Sequence, residues 1–341
     1  MKTHKNISIF IPHAGCPHQC SFCNQKVITA QEKLPHAEDV QRICRKALSE
    51  MPDISNTEIA FFGGSFTAIP RTYMIELLES AQEFIGEDKF SGIRISTRPD
   101  YINKEILEIL KSYHVTAIEL GAQSISDKVL EANHRGHTAE DVYHASELIR
   151  KYGFELGLQL MVGLYQSTWK DEYASAQWAL YSGADTLRIY PVVILKNTEL
   201  AEKYQSGEYS LIPFEEIVMF VSTLMEECAL ARIKVIKCGL HASEFVQSEM
   251  IGGYYHPAFR ELCEGEIYRR KMSNLYFSMP GRLQKGKTWT FFVRPDCISK
   301  AIGHKQANRE YFREQHGIDI RIIGDENLAL YQVKTEGLPC I

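Results

Sequence analysis

The 341-residue chain has no run of about 18 apolar residues, so no helix is expected to cross a bilayer. Its N-terminus, MKTHKNISIFIPHAGC, has a short apolar stretch but no cleavable signal pattern, and a cytoplasmic protein is expected. Internal repeats and low-complexity tracts are missing. A surplus of basic charge is missing too: the formal net charge is −5, which speaks against a generic polyanion binder. Disorder is excluded by 24% charged and 45% hydrophobic residues, enough for a large core. An even set of cysteines is also lacking. There are nine, in a chain too long to need disulfide staples, and a reducing compartment suits that count.

Three of the nine crowd into eight residues, in the order Cys16-Pro17-His18-Gln19-Cys20-Ser21-Phe22-Cys23. Three thiolates at C-x3-C-x2-C spacing on one loop can hold three corners of a cubane iron–sulfur cluster. Four cysteines would close its coordination shell, whereas three leave one iron open for chemistry. The competing reading is a structural zinc loop with a fourth ligand from His13 or His18. Cys238, Cys263, Cys297 and Cys340 are spaced too widely to read as a second cluster, and buried or free thiols are expected there.

Apolar, β-branched runs alternate with helical periodicity over the first 200 residues. Strands are expected at Asn6–Pro12, Thr57–Gly63, Gly92–Thr97, Val115–Gly121, Phe154–Gly163 and Asp185–Val193. Helices are expected between them, with Asn103 and Thr138 as N-caps. Such alternation implies an α/β fold, a parallel sheet curling into a partial (β/α)6 TIM-type barrel. Chemistry in these barrels sits at the C-terminal strand ends. Cys16, Gly64, Arg98 and Gln123 fall there. After a helix at Phe214–Ile233 and a strand at Ile233–Leu240 the pattern changes. Strands at Thr288–Val293 and Asp319–Ile323 flank an expected helix, Cys297–His316. The division drawn is residues 1–235 as barrel and 236–341 as a smaller α+β extension on the substrate side.

With these residues in hand, the chain resembles the radical S-adenosylmethionine (SAM) superfamily from about residue 6 to 240. The resemblance implies a [4Fe–4S] cluster on Cys16, Cys20 and Cys23, with SAM chelating the open iron through its amino and carboxylate groups. One-electron cleavage of SAM to a 5′-deoxyadenosyl radical would follow, fed by a low-potential donor such as flavodoxin or ferredoxin. Phe22 matches the aromatic residue on the adenine side. Gly63-Gly64-Ser65 resembles the Gly-Gly motif whose backbone meets the SAM amino group, with Ser65 where Thr or Glu is commoner. Ser96 stands where a related family has Glu, and supplies no charge. Gln123, in Gln123-Ser124, matches a ribose-facing position, Arg135 the partner of the SAM carboxylate, Gln159 a ribose-hydroxyl ligand, and Tyr190 the border of the adenine. Read without the family, Arg135 is a solvated helix-end residue, Gln159 an inward polar residue and Tyr190 barrel filling.

The phrases FFGGSFT, STRPDYI, ELGAQS, NHRGHT and GGYYHPAFREL give the strongest overall likeness, to the radical SAM half of the elongator catalytic-subunit family. That family modifies wobble uridine in tRNA. A second likeness is to oxygen-independent coproporphyrinogen oxidases. With 341 residues, no room is expected for the acetyltransferase domain that elongator-type enzymes carry. From Glu264 to His316 eleven Lys and Arg face five Asp and Glu, and Tyr254, Tyr255, Tyr268, Tyr276, Phe277 and Trp289 are interleaved. Phosphate neutralisation and base stacking by that segment would suit RNA; a mixed surface over an aromatic core is the plainer reading. The expected function is a radical SAM enzyme acting on RNA, by tRNA modification. The alternatives are the same chemistry on a small molecule or tetrapyrrole, and a non-catalytic metal-bound RNA-binding or sensor protein. No catalytic side chain is assigned, and the oligomeric state is not legible.

Overall fold

The computed structural model describes residues 5–11, 15–24, 33–240, 244–278, 288–337 and 340. Six strands lie side by side in chain order: β1 (Lys5–Ile11), β2 (Thr57–Gly63), β3 (Gly92–Thr97), β4 (Val115–Gln123), β5 (Glu155–Val162) and β6 (Thr186–Pro191). Each neighbouring pair is parallel. Parallel neighbours need long crossovers. Helices Ala37–Glu50, Arg71–Gln82, Lys104–Ser112, Ala139–Lys151 and Trp169–Tyr181 provide them. A sheet covered on its faces needs apolar strands throughout, and TEIAF at the start of β2 is buried at all five positions. This is the expected partial (β/α)6 topology.

The helix starts follow local chemistry. Asn103 accepts a hydrogen bond from the Ile106 amide (2.9 Å), and Thr138 with Asp141 forms a capping box. Thr168 and Asp171 repeat that box at the next helix.

Contacts divide the chain into two compact units, Met1–Leu211 with Ser243–Gly253, and Ile212–Ala242 with Tyr254–Ile341. This division differs from the one drawn at residue 235. In the second unit the helix Phe214–Leu230 packs on the helix Phe259–Ser278, with the rings of Phe214 and Phe259 edge to face. The strand expected at 233–240 is Lys234–Cys238, and it belongs to this unit. A three-stranded sheet places Thr288–Val293 between Asp319–Gly324 and Val333–Thr335.

Three elements depart from the sequence reading. The expected helix Cys297–His316 is two helices, Ile298–Ile302 and Ala307–His316. Gly303 (φ 84°), Lys305 (φ 51°) and Gln306 (φ 66°) break the helical backbone between them. The sixth strand stops at Pro191, short of the expected Val193, with the Val192 amide still donating to the Val162 carbonyl (3.0 Å). Val193–Leu195 then pairs antiparallel with Met250–Gly253. Finally, β4 continues past Gly121 to Gln123 through a bulge that matters for the site.

Candidate active site

Parallel register brings the C-terminal strand ends to one edge. Ile11 lies opposite Gly63, Thr97 opposite Leu120, and Gln123 opposite Leu160. A cavity of about 650 Å³ opens there, within the range of small-ligand sites. The loop after β1 contributes Cys16, Cys20, Phe22 and Cys23 to its wall. The end of β2 adds Gly63, Gly64 and Ser65, and Ser96, Gln123, Arg135 and Gln159 complete the expected set.

The cysteine loop is anchored by residues far away in sequence. The Ser21 amide donates to the Asn133 carbonyl (3.2 Å), and the Ser21 hydroxyl to Asn133 Oδ1 (2.8 Å). Asn133 has no exposed surface, and its Nδ2 donates to the carbonyls of Val129 and Tyr165. Arg135 Nη1 donates to Cys20 Sγ (2.9 Å) and Nη2 to the Gly121 carbonyl (2.7 Å). Gly15 (φ 71°) presses on the next loop so closely that a Cβ would collide with the Ser65 carbonyl oxygen. At Gly136 (φ 68°) a Cβ would meet the His18 ring. Two glycines and Asn133 thus fix how the thiols are presented.

After β2, the Gly64 amide donates to the Ile11 carbonyl (2.7 Å), and Gly63 (φ 106°) makes the turn. The Ser65 hydroxyl bonds Thr97 Oγ1 (3.0 Å) and accepts from the Arg98 amide (3.0 Å). Thr67 joins the same Thr97 hydroxyl at 2.6 Å. These hydroxyls tie the ends of β2 and β3 together. In β4 the register slips by one residue: Leu120 faces Leu158, but Gln123 faces Leu160. Gln123 takes up φ 63° beyond the bulge, turns into the cavity wall, and keeps its buried Oε1 without a partner. The bulge also aims the Gly121 carbonyl at Arg135 and the Ala122 carbonyl at His137 (3.3 Å).

Behind the cavity lies a ladder of buried charge. Arg94 is 1% exposed; it bonds Glu58 (2.7 Å) and Glu155 (2.7 Å), with Glu119 at 3.5 Å. Burial alone would lower the Arg94 pKa, but Glu58, Glu155 and Glu119 together raise it. Arg188 donates to Glu119 (2.9 Å) and lies 4.7 Å from the Phe62 ring centroid. Gln159 Nε2 donates to both Glu119 (3.1 Å) and Ser96 (3.1 Å). Glu119, one strand over, lies 3.5 Å from the Ser96 hydroxyl, but it is fully buried and paired with Arg188 and Arg94 and does not line the cavity.

Two expected residues do not line the cavity. Ser124 follows Gln123 and projects the other way, onto Ser175 Oγ (3.2 Å). Tyr190 lies beside Arg188; burial pushes its phenol up and Arg188 opposes the rise. His18, Thr97, Arg98 and Gly121 line the cavity as well, and Asn133 supports it from behind. Arg98 pairs one guanidinium edge, Nε and Nη2, with Asp100 (2.9 and 2.9 Å). Desolvation raises the Cys16 thiol pKa, Cys20 adds to the rise, and Arg135 and Arg98 oppose it.

A cubane takes one thiolate per iron, so its cysteines need not converge on a point as zinc ligands must. Among the described residues no three Cys, His, Asp or Glu side chains converge on a single ion; His13 lies outside those residues. Three thiols on one wall, facing a cavity with unpartnered Gln123 Oε1 and Arg135 Nε, fit a cluster with a polar ligand beside it.

Residues 10–179 match the Radical SAM superfamily, and residues 184–269 the radical SAM C-terminal domain. The chain belongs to the radical SAM superfamily. As a radical SAM enzyme it uses a [4Fe–4S] cluster and SAM. It is 28% identical over 225 residues to an uncharacterized protein of Methanocaldococcus jannaschii, covering 62% of this chain and 68% of that one. A tRNA uridine(34) acetyltransferase from the same organism is 34% identical over 155 residues, 42% of this chain and 28% of the relative. The heme chaperone HemW of Bacillus subtilis is 28% identical over 218 residues, 62% and 56% of the two chains. The chain thus spans about a quarter to two thirds of these relatives. An N-terminally truncated Elp3 of Methanocaldococcus infernus superposes with TM-score 0.55 at 17% identity, covering 73% of this chain and 62% of that one, which supports the partial barrel. Among the described residues no helix is long and apolar enough to cross a membrane.

Proposed function

We propose that Cys16, Cys20 and Cys23 hold the [4Fe–4S] cluster, that SAM binds its open iron, and that the enzyme modifies a tRNA nucleoside. One electron from a flavodoxin- or ferredoxin-type donor lets these groups, when bound, supply a 5′-deoxyadenosyl radical. In this reading Gly63 and Gly64 allow backbone approach to the SAM amino group. Phe22 flanks the adenine, and the hydroxyls of Ser65 and Ser96 close the polar side. Gln123 and Gln159 present amides to the ribose, and the free N–H of Arg135 Nε faces the carboxylate. The observation that carries the reading is the meeting of three thiols with the Gly63–Gly64 turn and both glutamines on one cavity. Oxygen-protected, reconstituted protein should hold four irons per chain and convert SAM to 5′-deoxyadenosine. Cys16→Ala, Cys20→Ala or Cys23→Ala should abolish the conversion; persistence in any of them refutes the assignment.

The tRNA substrate rests on the uridine(34) acetyltransferase relative. An unchanged nucleoside profile in tRNA from a deletion strain rejects it. A tetrapyrrole or small molecule is the second reading, and one feature of the second unit favours it. Arg269, Arg270, Lys271, Arg294, Lys300 and Arg313, all from the basic segment, each have a carboxylate within 4.0 Å. Tyr254, Tyr268 and Tyr276, named above for base stacking, are buried. Arg282, Lys285 and Lys287 lie outside the described residues. Tight heme binding together with unchanged tRNA would decide for the second reading.

A further inference from the structure

Arg135 differs from the other buried arginines of the barrel. Arg94, Arg98 and Arg188 all face carboxylates. Among the described residues Arg135 has no carboxylate within 4.0 Å, although it is only 8% exposed. Its charge is directed at sulfur instead, with Nη1 2.9 Å from Cys20 Sγ. Nothing in the geometry leaves that contact to chance. Nη2 is held by the carbonyl of Gly121 in the β4 bulge, and the Arg135 amide by the Leu130 carbonyl (3.0 Å). Cys20 is held from its other side, since the next residue, Ser21, is bonded twice to Asn133. Sulfur and guanidinium are therefore fixed against one another by two separate anchors.

We propose that Arg135 is a positioning residue that sets the reduction potential of the cluster by donating an N–H to the Cys20 thiolate. This rests on Cys20 being a cluster ligand. When one electron arrives from a low-potential donor, the cluster gains one negative charge; no bond breaks and no proton moves. A guanidinium stays protonated throughout, so it stabilises the reduced state more than the oxidised one. Hydrogen bonds to cluster sulfurs and local charge are established levers on such potentials. The contact also couples the electron-accepting end of the site to β4, the strand that presents Gln123.

The test is a redox titration of the reconstituted protein followed by EPR, without SAM. An iron count comes first, and a wild type lacking a four-iron cluster would sink the parent reading and not this one alone. In Arg135→Gln retaining four irons, the midpoint should move to more negative values. The expected ratio of reduced to oxidised cluster at fixed potential falls on the order of tenfold, or 59 mV for one electron. Arg135→Lys, which keeps the charge, should recover part of the shift. An unmoved midpoint in an iron-replete Gln variant overturns the proposal. If the variants lose iron, wild-type protein labelled with 15N-arginine decides. A 15N coupling to the reduced cluster in pulsed EPR supports the contact, and its absence overturns it.

Discussion

With no exposed surface, Asn133 accepts from the Ser21 hydroxyl and donates to two carbonyls; truncating its side chain strands the Ser21 hydroxyl and the Tyr165 carbonyl, while the Val129 carbonyl keeps the Asn133 backbone N–H. Asn133→Ala should cost about 2 to 4 kcal/mol in urea unfolding, at about 1 to 3 kcal/mol per buried group left unpaired, with partial relaxation. The apoprotein should show the loss before any metal is added, and reconstituted protein should release iron faster to a chelator. Residue type and short spacing made the three thiols legible, whereas the Gly-Gly turn and the glutamines were read through the family resemblance. The sequence did not announce Asn133, whose partner Ser21 is 112 positions away. It also placed Ser124 at the site, which the strand's own alternation directs onto Ser175 instead.

Two glycines make a graded comparison among the loops. At Gly15 an added Cβ meets backbone, the Ser65 carbonyl oxygen and the Ile69 amide, on a left-handed residue. At Gly136 it meets a side chain, the His18 ring, which can turn away. Both pay a left-handed penalty of about 1 to 3 kcal/mol. Gly15→Ala should therefore be the more damaging, with cluster occupancy falling well below that of Gly136→Ala at equal protein. The reverse order would show that the Gly15 loop moves freely against β2. The alternation of strands and helices was legible because each element repeats its own period. The β4 bulge was not: the sequence reading ended that strand at Gly121, and the slip beyond it exists only in relation to β5. The broken helix after Cys297 hid in the same way, since Lys305 and Gln306 carry no mark of the left-handed backbone they adopt.

Across the molecule, two buried groups give stability opposite responses to pH. Burial lifts Glu172 to about 7, although Ser167 and the Gly163 amide bond its carboxylate. Raised above the unfolded value, it contributes stability at low pH that is lost as pH climbs through 7. Burial lowers His137 to about 4, and Arg135 adds to the fall. Its contribution is present above about pH 6.5 and lost as pH drops through 4. The two nearly cancel between pH 4.5 and 6.5. Glu172→Gln keeps an acceptor for both donors and removes one side of that balance. Relative to wild type, the variant should gain about 1.4 kcal/mol per pH unit between pH 5 and 7, to a total of about 3 kcal/mol. Chemical unfolding at pH 5 and pH 8 measures it, and a pH-independent difference would place the Glu172 carboxyl in contact with water.

The six barrel strands stand in space in the order in which a ribosome makes them. Synthesis therefore delivers the cysteine loop 112 residues before Asn133, the side chain that fastens it through Ser21. Until Asn133 has emerged and folded, a nascent chain trails three loosely held sulfurs. Under the cluster assignment proposed above, chains truncated upstream of residue 133 should retain iron less well than the full chain, which an iron count on reconstituted protein measures.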